Sequence, residues 1–449
     1  MDIEELKKIV CKTIDDNYTK LAKLADDIYR NPELGYKEVE TSKKVCDFFD
    51  ELGIKYQNDI ALTAVKAKLK DNSEGPNIAI LGELDGVICF DSPDANKITG
   101  ASHTCGHNLQ ITAMATAALG LKLAGISDKL DGNVTFMAVP AEEYIELAYR
   151  EQLRQEGKIH FLAGKQELIY RGAFDDVDAA MMIHSLKNCP KPTIAIGKSS
   201  NGFVGKTIQY VGKAAHAAEA PHTGINALNA ATLGIMGINA LRETFRDEDS
   251  IRVHPIITKG GDTVNSVPCD VRLESYVRAN NVEAIKNTNK KVDRALIAGG
   301  YAVGAKTIIN TIPGHLPLRA SLPLNDIFRE NSLRMLPEED VIDGGHFTAS
   351  TDMGDVSNLI PSIHPFIGGV SGELHTKTFK VEDFYSACIL PGKIMAMTAI
   401  DLLFGGATKA KDIIKDYVPT FNSKAEYIKF LEECFDRRVE EWKIGKIIC

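Results

Sequence analysis

The sequence predicts an α/β protein in which a large discontinuous domain carries a smaller α+β insert. Three observations lead there. The chain has 449 residues, past the size at which one hydrophobic core usually stops growing, so two domains are expected. Before Ser199, short apolar runs ending in polar residues alternate with a long helical run, the order of a buried, partly parallel sheet. From about Ser199 the pattern changes to two strand and helix units without a cluster of metal-ligating residues. The expected division is 1–198 for the first part of the large domain, 199–315 for the insert and 316–449 for the second part.

The elements follow in order. Ile3, Leu6, Val10 and Ile14 are spaced for the apolar face of an opening helix, and Leu21, Leu24 and Ile28 for a second helix that "NPELG" stops. A third covers "VETSKKVCDFFDEL". Strand-like runs are "NIAILGELD" (77–85), "NVTFMAVPAEE" (133–143) and "AAMMIH" (179–184), with "LQITAMATAALGLKLA" (109–124) as a helix between the first two. Open α/β sheets place their sites beyond the carboxyl ends of strands, so the polar residues ending these runs are the ones to examine. In the insert, "TIQYVGKAAH" and "CDVRLESYVRA" read as strands, "GINALNAATLGIMGINAL" and "NVEAIKNTNKKVDRALIAGG" as helices, and "NTIPGHLPL" as a link back. Beyond Leu324 come loops with "GGHFTASTDMGD", a strand at "HPFIGG" and a strong closing helix over 384–404.

Composition narrows the function. Lys and Arg total 52 against 61 Asp and Glu, a formal charge of −9, with no basic stripe or aromatic platform for nucleic acid. The opening "MDIEELKKIVCKTIDD" lacks the separate basic and apolar regions of a secretory signal. No uninterrupted apolar run reaches the roughly 18 to 20 residues of a membrane span. The 9 cysteines are scattered and odd in number, which favours reduced thiols and a cytoplasmic location. Neither "GGDTVNS" nor "GGHFTAS" gives the glycine pattern of a dinucleotide site.

"HTCGHN" (103–108) concentrates the chemistry. Side chains at i and i+2 of an extended chain point to one side, so Cys105 and His107 can converge on one ion, with Gly106 allowing a tight turn. A buried small-residue turn with a chance histidine explains "CGH" equally well. "PAEE" tips the balance, because Glu142 and Glu143 face different ways, leaving one free to take a proton while the other binds metal. His184 ends "AAMMIH" and His375 lies in "GELHTKTF"; either alone reads as a structural histidine. Together the five donors would suit Zn, Mn, Co or Ni in a hydrolytic dinuclear centre. Cys105 as a nucleophile, with His103 or His107 as base, is the competing use. Two adjacent carboxylates have a clear task in metal hydrolysis and an awkward one beside a thiolate.

The stretches "NPELGYKE", "HTCGHN", "PAEE", "GAFDDVDAAMMIH", "GKAAHAAEAPHTGINALNA", "STDMGDVS" and "GELHTKTF" occur in order over most of the chain. With them the sequence resembles the metal-dependent amidohydrolases and peptidases that include bacterial glutamate carboxypeptidases, aminoacylases and auxin-conjugate hydrolases, nearest the branch of the aminobenzoyl-glutamate hydrolase subunits. The resemblance implies a mixed-sheet dinuclear metallopeptidase-like catalytic domain with an inserted lid that carries the contact of a homodimer. It implies two divalent metal ions per chain, zinc or manganese first, with cobalt or nickel as alternatives. Cys105, His107, Glu143, His184 and His375 become the ligands, Cys105 placed to bridge, and Glu142 the general base. His216 in "GKAAHAAEAP", rather than His222, corresponds to a histidine that reaches across the dimer to the oxyanion. Asn265 and Arg278 correspond to residues that hold the substrate carboxylate and the reacting group.

Asp85 and His103 are expected to support the ligands from behind, His346 is a reserve for His375, and Asp352 and Asp355 are loop-fixing acids. Gln110, Ile111 and Ser185 depart from the pattern of relatives and bear on specificity. The implied reaction is hydrolysis of an amide or peptide bond in a small N-acyl amino acid, an aminobenzoyl-glutamate-like compound or a dipeptide. The alternative is a partner subunit or metal-dependent binding scaffold without catalysis of its own, which has little use for an uncoordinated acid such as Glu142.

Overall fold

A helix that is apolar on all sides must be buried on all sides. His107–Leu123 is such a helix, and every residue from His107 to Leu121 is buried. It packs on the strand Asn77–Glu83, where Gly82 permits an unusually close approach: a Cβ there would lie 2.8 Å from the Ile111 Cα. The opening helices Ile3–Asp16 and Tyr18–Tyr29 bury Leu6, Val10, Ile14, Leu21, Leu24 and Ile28, the positions the sequence spacing selects. The third expected helix is Val39–Leu52.

The protein is described here from a computed structural model over residues 2–71 and 74–441. The chain forms two units. The first comprises Met1–Ser199, Leu318–Phe347 and Asp352–Lys424. Its main sheet has six strands in the order Tyr56–Ile60, Ala64–Lys68, Asn133–Val139, Asn77–Glu83, Ala179–Met181, Ser362–Ile363. The first three pair antiparallel and the last four parallel, so the sheet is mixed, as expected. Asn77–Glu83 and Asn133–Val139 are buried at every position, which is why they read as continuous apolar runs instead of alternating ones.

The second unit comprises Ser200–Pro317, Thr348–Thr351 and, among the described residues, 425–441. A five-stranded antiparallel sheet runs in the order Arg252–Lys259, Asp270–Ala279, Gly202–Val211, Lys306–Pro313, Asp436–Glu440. The helices Ala227–Ala240 and Val282–Val303 pack with it around a separate apolar core. Two expectations need correction, and one strand lies where the sequence analysis places no element. "NTIPGHLPL" is not only a link, because Asn310 to Pro313 complete a strand of strictly alternating burial. Arg252–Lys259 is a strand despite Pro255, since it lies at the sheet edge where a missing N–H is tolerated. The region 316–449 does not belong wholly to the first unit, because Asp436–Glu440 pairs with Lys306–Pro313 in the sheet of the second.

The helix expected over 384–404 opens with a π-turn at Tyr385–Ile389 and continues as Leu390–Leu403. It does not close the chain; Thr408–Asp416 and Lys424–Cys434 follow. Tyr385–Leu403 is long and apolar enough to cross a membrane, yet its apolar window is 100% buried inside the protein. Its apolarity is that of a core helix.

The Gly82 contact gives a prediction. In Gly82→Ala the new methyl meets helix backbone, which cannot rotate away, so stability should fall by about 1–3 kcal/mol. Calorimetry should read this as a drop of roughly 2–4 °C in Tm per kcal/mol; an unchanged Tm would show that strand and helix separate freely.

Candidate metal centre

Asn77–Glu83 and Asn133–Val139 run side by side in the same direction, so their carboxyl ends deliver Glu83, Asp85, Glu142 and Glu143 to one edge of the sheet. Ala179–Met181 flanks the first strand in parallel and leads to His184. A small hairpin, Val87–Ile88 with Ala101–Ser102, returns the chain to "HTCGHN". Gly106 then turns at φ +83°, a conformation that favours glycine, and a Cβ there would lie 2.2 Å from the Ser185 Oγ. His107 is the first residue of its helix. Cys105 and His107 are therefore set by a left-handed turn into a helix, and the expected extended i, i+2 arrangement is corrected.

The sulfur of Cys105 is the meeting point. Its Sγ lies 3.4 Å from the His184 Nε2 and 3.3 Å from the His375 Nε2. His375 Nε2 is 3.0 Å from a Glu143 oxygen. His107 Nε2 is 3.2 Å from the Glu83 Oε2 and 3.9 Å from the Glu143 Oε1. Three groupings of donor atoms result, each within 4.8 Å: Cys105, His107 and His184; Cys105, Glu143 and His375; Glu83, His107 and Glu142. All five residues expected as ligands are thus brought together, with Cys105 common to two groupings.

Backbone contacts fix which imidazole nitrogen is available. His107 Nδ1 lies 2.8 Å from the Asp85 carbonyl and 3.2 Å from the Asp85 Oδ1; a carbonyl only accepts, so Nδ1 carries a proton and Nε2 is the nitrogen that gives up its proton when a metal ion is to be bound. His184 repeats this, its Nδ1 donating to the Ser185 carbonyl at 3.0 Å. Asp85 also accepts the Glu143 N–H through Oδ2 at 3.0 Å, so one buried carboxylate orients both a histidine and the "PAEE" backbone.

The electrostatics are extreme. Burial and Glu143 push the Cys105 thiol up, but His184 and His107 more than reverse this and lower it to about 6. Burial raises Glu143, and His375 and His107 override it to bring the carboxyl to about 2. Glu142 goes the other way, pushed well up by burial and by Glu83, Glu143 and Asp352. Burial opposes charge on Glu83, yet Lys165 and His107 hold it down at about 2. Lys165 is completely buried, with Nζ 2.7 Å from the Glu83 Oε1 and 2.5 Å from the Asp352 Oδ1.

The residues fit a metal pair. The Glu83 Oε2 and His107 Nε2 are buried and facing, but neither has a hydrogen-bond partner. Thiolate, imidazole and carboxylate donors also form a set that borderline divalent ions accept.

The other expected residues lie elsewhere. The His103 imidazole is buried and hydrogen-bonds none of the five expected ligands, so the expected support for the ligands through this side chain is absent; its carbonyl accepts the Gly106 N–H at 3.1 Å. His346 hydrogen-bonds Ser199 at 2.9 Å and enters none of the three groupings. Asp352 receives Lys165, and Asp355 receives the Gln166 amide at 3.2 Å.

In the second unit, exposed His216 bridges to Ser266, and its Nδ1 accepts the N–H groups of Ala218 and Glu219 at 3.3 and 3.0 Å. The proton is thereby placed on Nε2. The Asn265 carbonyl accepts the neighbouring Ala217 N–H at 3.0 Å, keeping Asn265 beside His216. Arg278 pairs across strands with Phe203, lies over its ring at 4.9 Å and donates to the Ser350 Oγ at 2.8 Å.

The sequence reading missed Glu83 and Lys165. Glu83 precedes Asp85 by two positions in a strand-end run, a signal that was available. Lys165 gives none, since a lysine opening a short helix, Gly164–Tyr170, ordinarily faces water.

Comparison with known proteins bears on the fold and the kind of activity. Residues 182–304 match the peptidase dimerisation domain. The chain is 29% identical to the Xaa-Arg dipeptidase of Mus musculus, covering 90% of each protein. It is 27% identical to a p-aminobenzoyl-glutamate hydrolase chain of Escherichia coli, over 68% of this chain and 60% of that one. Its fold superposes on a Bacillus subtilis dinuclear metal binding peptidase of the M20 family with TM-score 0.67 and 22% identity, over 87% of this chain and 99% of the other. The chain thus carries the peptidase dimerisation domain of the M20 proteins, shares the fold of an M20 dinuclear metal binding peptidase and, like the hydrolases it resembles, is an enzyme acting on small substrates.

Proposed function

We propose that this enzyme hydrolyses the amide or peptide bond of a dipeptide, a small N-acyl amino acid or an aminobenzoyl-glutamate-like compound, with two metal ions held by Cys105, His107, Glu143, His184 and His375. The observation that carries the reading is the Cys105 sulfur shared between two donor groupings, one completed by His107 and His184 and the other by Glu143 and His375. Zinc and manganese are the first candidates and cobalt or nickel the next. When bound, such ions polarise the scissile carbonyl and make water more acidic.

Glu142 takes the proton of the attacking water and returns it to the leaving nitrogen. Its place beside a donor, in a buried strand-end loop, supports that role. Asp85 keeps His107 in the right tautomer. His216, with its proton on Nε2, donates to the oxyanion from a dimer partner, and Asn265 and Arg278 hold the substrate carboxylate and reacting group. Among the substrates, the dipeptide is the first to test, because the mouse dipeptidase aligns over most of both chains.

A homodimer through the second unit is part of this reading. Its edge strand exposes Ile256 and Ile257, and the helix Ala227–Ala240 exposes Leu233 and Met236, apolar surface of the kind an interface covers. A cytoplasmic setting belongs to the same reading, from the scattered and odd set of 9 cysteines in the sequence.

The test is turnover of dipeptides, including ones ending in arginine, acylated amino acids and aminobenzoyl-glutamate by protein stripped with chelator and reloaded with zinc, manganese or cobalt. Glu142→Gln should keep its metal and lose about 100-fold or more in kcat; near-normal turnover excludes Glu142 as the base. Cys105→Ser should lower the metal content per chain measured by elemental analysis, and undiminished content would sink the shared-sulfur reading. Two bound metals with no turnover on the whole panel would favour a partner subunit or binding scaffold.

Lys165→Met removes the cation between two buried carboxylates and should destabilise the metal-free protein by about 3–5 kcal/mol. Added zinc should then raise Tm more in the variant than in the parent, since the ions supply charge that the lysine no longer gives; equal shifts would separate Lys165 from the centre.

A further inference from the structure

The helix Leu147–Gln155 begins a few residues after "PAEE" and buries only two of its residues, Leu153 and Arg150. Burying an arginine needs compensation, because a guanidinium stays charged. Arg150 is 0% exposed, and no carboxylate among the described residues pairs with it. Its partners are three carbonyls: Nη1 donates to those of Ala141 at 3.2 Å and Leu162 at 2.9 Å, and Nη2 to that of Glu143.

Two of these carbonyls flank Glu142. The same short stretch is gripped from its N–H side, where Ala141 donates to the Glu38 Oε1 at 2.8 Å and Glu143 to the Asp85 Oδ2 at 3.0 Å. Ala141 sits at φ +53°, a conformation a residue with a side chain adopts only when its surroundings enforce it. "NPELGYKE" supplies the room: a Cβ on Gly35 would lie 2.5 Å from the Arg150 Nη2 and 2.9 Å from the Ala141 Cα. The Tyr36 ring lies 5.5 Å from the guanidinium carbon.

We infer that Arg150 is a positioning residue for Glu142, a buried fork that holds the carbonyls on either side of the base and so fixes where its carboxylate stands. This rests on the reading of Glu142 as the base. Lysine at 150 retains the charge but not the planar fork that reaches carbonyls in different directions. Loss of the fork leaves the loop free to relax from its left-handed turn, and a misplacement of about 1 Å can cost about 100-fold in rate.

The experiment uses the full chain reloaded with zinc or manganese and compares Arg150→Lys and Gly35→Ala with the parent. Expected in both are a kcat lower by about 10- to 100-fold, KM within about twofold of the parent, unchanged metal content, and faster amide hydrogen exchange confined to peptides spanning 140–145. Gly35→Ala approaches the same contact from the other side, so the inference is still tested if Arg150→Lys fails to fold. Parental kcat, or parental exchange over 140–145, in a folded variant would overturn it. If exchange rises locally while Glu142→Gln turns over normally, the hold on the loop stands and the assignment of the base falls.

Discussion

Everything around this centre answers to one electrostatic constraint. Glu83, Asp85, Glu142 and Glu143 are all buried at the ends of two neighbouring strands. Acids this close in a low-dielectric interior cannot all stay ionised without cations among them. The protein provides one permanent cation in direct contact, Lys165 against Glu83, and turns imidazole nitrogens toward the rest. The opposite displacements of Glu142 and Glu143, one pushed well up and the other down to about 2, come from the same cause: His375 is within reach of Glu143, while Glu142 faces other acids. A metal pair would be the counter-charge that this arrangement presupposes, more than an addition to a finished site.

The constraint reaches into the backbone. Each of three segments bearing donors or the base contains a residue with a left-handed backbone: Gly106 at φ +83°, Ala141 at φ +53° and His375 at φ +61°. Regular strands and helices cannot aim three separate loops at one point, so the aiming is done by turns that only their surroundings stabilise. The surroundings are the regular layer itself, a parallel strand pair and a helix seated closely on it through Gly82. Stability of the layer and accuracy of the centre are therefore linked through the same few contacts.

Much of this was legible in the sequence because periodicity marks burial. The strands ending at Glu83 and Val139 are fully buried apolar runs, and donors directly beyond such runs stand out. Cys105, His107, Glu143, His184 and His375, whose donor atoms the fold gathers, are marked in this way and by resemblance. Lys165 and Arg150 were not, because each lies in a short helix whose composition resembles a solvated surface, and the meaning of a buried cation comes from what it meets in space. His103 misled in the opposite direction: its closeness to Cys105 in sequence suggested a supporting side chain, whereas the turn at Gly106 uses only its carbonyl. The strand Lys306–Pro313 was obscured by proline and glycine near its end, although its alternating burial is regular.

The histidines show how little local chemistry separates opposite tasks. In His107 and His184 Nδ1 donates to a backbone carbonyl, so Nε2 is the nitrogen left to lose its proton and offer a lone pair to a cation. In His216 two backbone N–H groups point at Nδ1, so Nε2 must hold the proton, the form that stabilises an anion. The side chain is the same in all three; the direction of the neighbouring peptide decides whether it presents a lone pair or a proton. A substitution that leaves each imidazole in place but reverses that peptide would exchange these capacities. The reading of His216 as a donor to developing negative charge therefore draws support from a turn, Ala217 to Glu219, that touches no substrate.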